Sequence, residues 1–212
     1  MARESLGAKQ ARCRRIITAL KRTHPDAKLA LDFSSPLELL VALILAAQAR
    51  DDLVNAVTAD LFKKRLSAED WMGLQESEVG KINFYRNKTR SIQGAARVLV
   101  EKFGSQVPHT MEELLTLPGV GRKTANAVLA NAFGQPAIVV DTHVWRLSRR
   151  LGLTNEDYQD EIETDLAEAV PREDWTRFCH LLQFHGRRVC TAKKPNCPAC
   201  SVNKLCPKIG VK

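Results

Sequence analysis

The chain has 212 residues, enough to bury one large core or two small ones, and its 44% hydrophobic and 26% charged residues exclude a disordered, collagen-like or low-complexity chain. Thirty-two Lys and Arg against 24 Asp and Glu leave a formal charge of +8. That surplus suits a polyanionic partner, nucleic acid above all, although charge alone fits a merely soluble basic protein as well.

The charged N-terminal MARESLGAKQARCRR lacks the apolar core of a secretory signal. The longest apolar run, Leu37 to Ala49, carries Glu38 and Gln48 and is too short to cross a bilayer. An intracellular protein with no membrane association is expected, in the cytoplasm or nucleoid if bacterial. Helical periodicity then runs almost throughout. Cys13, Ile16, Ile17 and Leu20 mark an amphipathic first helix. Ser35 and Glu38 predict a capping box with Pro36 at the first helical position, opening a buried helix from Leu37 to Ala49. Val54, Val57 and Leu61 mark a third helix, and Ser67 with Asp70 opens a fourth around Trp71. Ile92, Ala96 and Leu99 mark the next, and Thr110 with Glu113 caps another.

Arg122 to Phe133 reads as an Ala-rich helix bounded by Gly121 and Gly134, and Asp141 can cap a helix carrying Val144, Leu147 and Leu151. Tyr158, Ile162, Leu166 and Ala169 follow, and Trp175, Phe178, Cys179 and Leu182 come last. Only Ala137 to Val140 reads as a strand, and one strand makes no sheet, so the expected class is all-α. There is no internal repeat and no Pro/Gly/Ser linker.

Five of the six cysteines lie in the last 34 residues, four of them spaced Cys190-x6-Cys197-x2-Cys200-x5-Cys206. That clustering in an intracellular chain points to metal. Zinc ribbons commonly use two Cys-x2-Cys knuckles, and here there is one. Four irregularly spaced thiolates suit a [4Fe–4S] cluster better, one per iron, with zinc the remaining alternative. Cys13 and Cys179 sit on apolar helix faces as small hydrophobes. Gly186 to Lys212 holds Arg187, Arg188, Lys193, Lys194, Lys204, Lys208 and Lys212 and no acidic residue. This reads as a phosphate-facing surface, including Lys193 and Lys194, or else as a solvated basic tail.

Leu117-Pro118-Gly119-Val120-Gly121-Arg122-Lys123-Thr124-Ala125 joins two helices. Two glycines around Val120 allow a tight turn with outward N–H groups, and a helix N-terminus follows, a combination that binds phosphate. Lys123 sits in the first helical turn beside Arg122, where the macrodipole disfavours a cation and so favours the neutral, nucleophilic amine. A phosphate-binding lysine that never reacts fits the same position. Asp141 is either a plain N-cap or a carboxylate that faces Lys123 and stabilises cationic sugar character.

Together, Leu117 to Ala125, Val140-Asp141-Thr142-His143-Val144 and the cysteine loop resemble the endonuclease III family of helix–hairpin–helix DNA glycosylases. The resemblance runs from about Leu29 to Pro207, and Phe33-Ser34-Ser35-Pro36 and Ala46-Ala47-Gln48-Ala49 share it. It implies a six-helix barrel over 29–135 with the hairpin at 117–125. It also implies a second helical domain from 1–28 and 136–212 holding a [4Fe–4S] cluster in the 190–206 loop. Double-stranded DNA carrying damaged pyrimidines or abasic sites would lie between the two, with the damaged base flipped out. Lys123 would attack the sugar C1′ to form a Schiff base, Asp141 would assist base departure, and β-elimination would cut the strand on the 3′ side.

Gly119, Val120, Gly121, Arg122 and Thr124, with His143, would contact DNA, and a monomer is expected. Gln48 would fill the gap left by the flipped base, or it simply ends a buried helix. Phe84 replaces a wedge that is typically leucine, and would stack on bases or belong to the core. Arg50 stands where a small hydroxyl residue is usual. Two rivals remain: a non-catalytic DNA-binding or electron-carrying module, and a mismatch adenine glycosylase. The latter group lacks a lysine at the position of Lys123 and carries an extra C-terminal domain.

Overall fold

The computed structural model describes residues 4–211. The first three residues of the N-terminal stretch and Lys212 of the basic tail lie outside the described residues. The chain divides into two compact units, residues 29–135 and the segments ending at Lys28 and beginning at Pro136. No strand occurs among the described residues, and no helix there is long and apolar enough to cross a membrane.

Residues 29–135 contain six α-helices: α2 (Pro36–Ala46), α3 (Asp51–Lys64), α4 (Ala68–Met72), α5 (Tyr85–Phe103), α6 (Met111–Leu114) and α7 (Arg122–Ala132). Helix α2 is apolar nearly all round and packs against α3, α5 and α7, so it forms the centre of the unit. Trp71 is fully buried in the same core as Leu40, Leu45, Ile92, Leu99 and Leu114. Local chemistry sets the helix starts. Ser67 and Asp70 form a complete capping box, and the Thr110 side chain accepts from Glu113 N.

At α2 the expected box is only half formed. Ser35 Oγ accepts from Glu38 N, but the Glu38 carboxylate turns to Ser34 N and Oγ at 2.5 and 2.7 Å. Helix α2 also ends at Ala46 instead of Ala49. Two of the carbonyls at its end are captured by the Lys88 side chain, and the chain turns through Gln48 in the left-handed region, φ 54°.

The other unit holds α1 (Leu6–Thr23), α8 (Thr142–Arg150), α9 (Gln159–Ala169) and α10 (Trp175–Arg188). Its core joins Cys13, Ile16 and Leu20 of α1 to Val144, Leu147, Ile162, Phe178 and Leu182. Burial pushes the thiols of Cys13 and Cys179 up to about 12, as befits inert apolar residues. Ala137 to Val140 is extended but forms no strand, because α10 side chains occupy its backbone groups. Thr176 Oγ1 exchanges hydrogen bonds with Ala137 N and O, and Val139 N donates to Cys179 Sγ.

Candidate active site and cysteine centre

In residues 29–135, Leu117 to Gly121 connects α6 to α7. Gly119 has φ 79°, and a Cβ there would lie 2.6 Å from Ser91 Cβ on α5, so the backbone is pressed against that helix. Gly121 is the N-cap of α7 with no side-chain acceptor and open space around it. These features give two glycines of different function. Gly119→Ala is expected to lower the melting temperature by roughly 5 °C or more, through both its positive φ and the clash with Ser91. Gly121→Ala should melt within about 2 °C of wild type. Thermal unfolding followed by circular dichroism checks both, and equal melts for the two variants would refute the packing argument.

Arg122 and Lys123 are exposed in the first turn of α7, and Thr124 is half-buried. Val120 corrects the sequence reading. Its side chain is buried in the core and its N–H donates to Leu117 O at 3.1 Å, so neither is offered to a phosphate. On a neighbouring surface of the same unit, Gln48 and Phe84 are drawn together. Both have positive φ and are exposed, Phe84 by 61%, and Asn83 Nδ2 donates to Gln48 O at 3.3 Å. The core alternative for Phe84 therefore falls. Arg50 is also exposed and ion-paired with Asp52.

In the other unit, Asp141 is the N-cap of α8, and Oδ1 alone accepts from His143 N at 2.9 Å and Val144 N at 2.8 Å. The cap thus engages one carboxylate oxygen and leaves Oδ2 outside it. His143 is half-buried, its Nδ1 3.1 Å from Arg146 Nη2. A Cβ at Gly186 would meet both side chains within 3 Å, so that glycine lets α8 and α10 approach.

Cys190, Cys197, Cys200 and Cys206 line one cavity with Leu147 and Val202. None is in a disulfide. Burial raises the thiols of Cys200 and Cys206, and neighbouring cysteines push both the same way. Four coupled thiolates need positive charge among them. Among the described residues, no three His, Cys, Asp or Glu side chains approach closely enough to hold a single ion. Four cysteines lining one cavity have the donor chemistry for a metal centre.

The surrounding donors suit thiolates as well. Arg150 is buried and its Nη1 lies 3.3 Å from Cys190 Sγ, and Lys208 N donates to Cys206 Sγ at 3.3 Å. His185 Nε2 lies 3.3 Å from Cys200 Sγ, and its Nδ1 is 3.0 Å from His24 Nε2. Burial, with His24 adding, pushes His185 down to about 4, so its ring is neutral. A thiolate at Cys200 can only accept, which makes His185 Nε2 the donor and His24 Nε2 the donor behind it. His24 Nδ1 is then a bare lone pair, consistent with its burial without a partner.

Lys193 and Lys194 are exposed on the loop after α10. Arg188 departs from the basic-tail expectation: Asp26, remote in sequence, pairs with its guanidinium at 2.6 and 3.0 Å. Sequence reasoning missed Lys88, Asn83, His24, His185 and Arg150. For Lys88 a signal existed, since it occupies an apolar position one turn before Ile92.

A model for the HhH-GPD superfamily of base excision DNA repair proteins matches residues 41–172. The chain is 47% identical over 207 residues to Endonuclease III of Synechocystis sp. (strain ATCC 27184 / PCC 6803 / Kazusa), covering 95% of this chain and 94% of the relative. It is 39% identical over 195 residues to Endonuclease III of Escherichia coli (strain K12), covering 90% and 92%. Among solved structures, a trapped Endonuclease III–DNA covalent intermediate matches with a TM-score of 0.88 at 41% identity, covering 94% of this chain and 96% of that one. A thermostable thymine-DNA glycosylase shares the fold, with a TM-score of 0.84 at 24% identity, covering 95% and 98%.

Proposed function

The chain belongs to the HhH-GPD superfamily, in its endonuclease III family of base excision repair glycosylases and AP lyases, and from that premise we propose that Lys123 is its nucleophile and Asp141 its assisting carboxylate. The observation that carries this reading is the exposure of Lys123 in the first turn of α7, directly after the Gly119–Gly121 turn. The substrates are oxidised or ring-saturated pyrimidines and abasic sites in double-stranded DNA, met inside the cell by a monomer. Backbone N–H groups of the turn and the positive end of α7 hold a phosphate, with Arg122 and Thr124 beside it. His143, Lys193 and Lys194 add contacts to the DNA backbone. Gln48 and Phe84 enter the duplex where the damaged base leaves the stack.

The neutral Lys123 Nζ bonds to C1′ as the C1′–base bond breaks, and the base departs with the electron pair and takes up a proton. Asp141 Oδ2 stabilises the cationic character that C1′ gains in between. Loss of the amine proton and opening of the sugar, with O4′ protonated, leave an iminium joining Nζ to C1′. Removal of a C2′ proton then expels the 3′ phosphate, cutting the strand on that side, and hydrolysis of the iminium releases Lys123.

Cys190, Cys197, Cys200 and Cys206 would hold a [4Fe–4S] cluster, which would supply a rigid, positively compensated anchor for the basic loop and take no part in bond cleavage. Anaerobically purified protein is expected to absorb at about 400 nm with about four irons per chain, and Cys197→Ala to lose both signals. A colourless, zinc-loaded preparation refutes the cluster.

Borohydride trapping tests the reaction. Incubation with a duplex carrying one thymine glycol is expected to leave protein covalently joined to DNA on a denaturing gel. An adduct with an abasic site alone would move the substrate away from that lesion. No adduct with either would leave a DNA-binding module.

A further inference from the structure

Lys88 places a cation where the pattern of α5 asks for an apolar side chain. It is 6% exposed, on the face that also buries Thr89, Ile92, Ala95 and Leu99. Its Nζ donates to the carbonyls of Leu45 at 2.8 Å and Ala47 at 2.5 Å, at the end of α2. Both acceptors are backbone oxygens, with no carboxylate to offset desolvation, and burial alone lowers the lysine below its ordinary value. Desolvating an ammonium exceeds what one helix C-terminus returns for a cation, so helix capping is a poor account of this side chain.

The turn beyond the cap supplies a better one. Gln48 and Phe84, two residues with side chains, both sit in the left-handed region at φ 54° and 58°. Ala47 O, on one side of Gln48, is held by Lys88. Gln48 O, on the other, accepts from Asn83, the residue before Phe84. Lys88 N itself donates to Phe84 O at 3.1 Å. The backbone on both sides of Gln48 is thereby tied to the segment carrying Phe84, while both side chains remain exposed. Each turn is closed by its own backbone bond, Ala49 N to Ala46 O at 3.0 Å and Tyr85 N to Ile82 O at 3.2 Å. The Lys88 and Asn83 ties join the two, holding their unfavourable conformations in register with each other.

We propose that Lys88 is a positioning residue whose buried ammonium, together with Asn83, locks the Gln48 turn and Phe84 into one rigid wedge for opening duplex DNA. The inference rests on the reading above of Gln48 and Phe84 as inserted side chains. Preorganisation means that the ordering of the wedge is complete before DNA arrives, so its loss should appear in base extrusion and leave the lysine chemistry intact.

The test compares single-turnover excision of thymine glycol from a paired duplex with borohydride trapping at an abasic site in a single strand, where no stack must be opened. Lys88→Met, which keeps the stem and removes the ammonium, is expected to slow duplex excision about 100-fold and single-strand trapping by less than about 3-fold. Asn83→Ala, an exposed change, should move the same way by about 10-fold. In a Gln48→Ala background either variant should cost little more, because the wedge is already incomplete.

Equal losses on both substrates, or full additivity with Gln48→Ala, would reduce Lys88 to a stabilising residue and overturn the proposal. Should Lys88→Met fail to fold, Asn83→Ala and its additivity with Gln48→Ala decide the question. Wild-type protein inactive on both substrates would instead sink the glycosylase reading itself.

Discussion

Lys123→Gln is expected to abolish the borohydride adduct and slow strand cutting by about 10³-fold or more, while DNA affinity stays within a few-fold of wild type. The side chain is exposed in the first turn of α7, so no core contact is lost. Removing a cation from the positive end of a helix should leave the fold as stable or raise it by about 0.3 kcal/mol. A loss of activity therefore cannot be ascribed to unfolding, and a melting curve beside the rate measurement makes that explicit. If the lysine only bound phosphate, the pattern would reverse. Affinity would fall, its dependence on salt would weaken by about one counterion, and cutting at saturating protein would persist. Retained cutting at the wild-type rate would overturn the assignment.

Asp141→Asn separates the observed cap from the catalytic role proposed for the same side chain. Asn is as good an N-cap as Asp, and its amide oxygen can accept from His143 N and Val144 N as Asp141 Oδ1 does. Stability should thus change by less than about 1 kcal/mol. The negative charge is lost, and with it the stabilisation of a cationic C1′, so base excision should fall about 10² to 10³-fold. Asp141→Ala removes the cap as well and should add a loss of about 1 kcal/mol in stability. Thermal melts and single-turnover excision on the three proteins distinguish the cases. Wild-type excision by Asp141→Asn would leave Asp141 as a cap and nothing more.

Helix starts were the most legible feature of this chain. Ser67 with Asp70, Thr110 with Glu113, and Asp141 ahead of Val144 each act over three residues, and such contacts can be read from spacing alone. Where a start depended on more than spacing, reading failed by a residue. The Glu38 carboxylate chose Ser34 over Ser35, a choice set by backbone direction before the helix. The buried faces of α1 and α10 followed from period 3.6 for the same local reason.

The residues proposed for catalysis and metal binding stood out as candidates, because glycines before a lysine in a first helical turn and four clustered cysteines are chemically unusual wherever they fall. Local chemistry alone fitted Lys123 equally to phosphate binding and Asp141 to plain capping, and the family resemblance chose between them. The surroundings of these residues did not stand out. The packing limit on Gly119 comes from Ser91, and the end of α2 is fixed by Lys88, more than 40 residues away from the carbonyls it holds. Ala137 to Val140 has strand composition, but its hydrogen bonds go to Thr176 and Cys179, so no sheet forms. The imidazoles of His24 and His185 meet beside Cys200 across 161 positions of sequence.

By itself, then, the sequence determined the helical class, the starts of the helices with side-chain caps and the basic character, and it singled out the candidate reactive side chains, all carried by residue chemistry and contacts within one or two turns. Only the tertiary structure decided which polar groups are buried and what they hold. A buried cation such as Lys88 or Arg150 is defined by the carbonyls and sulfur that distant segments bring to it, and no local pattern encodes those partners.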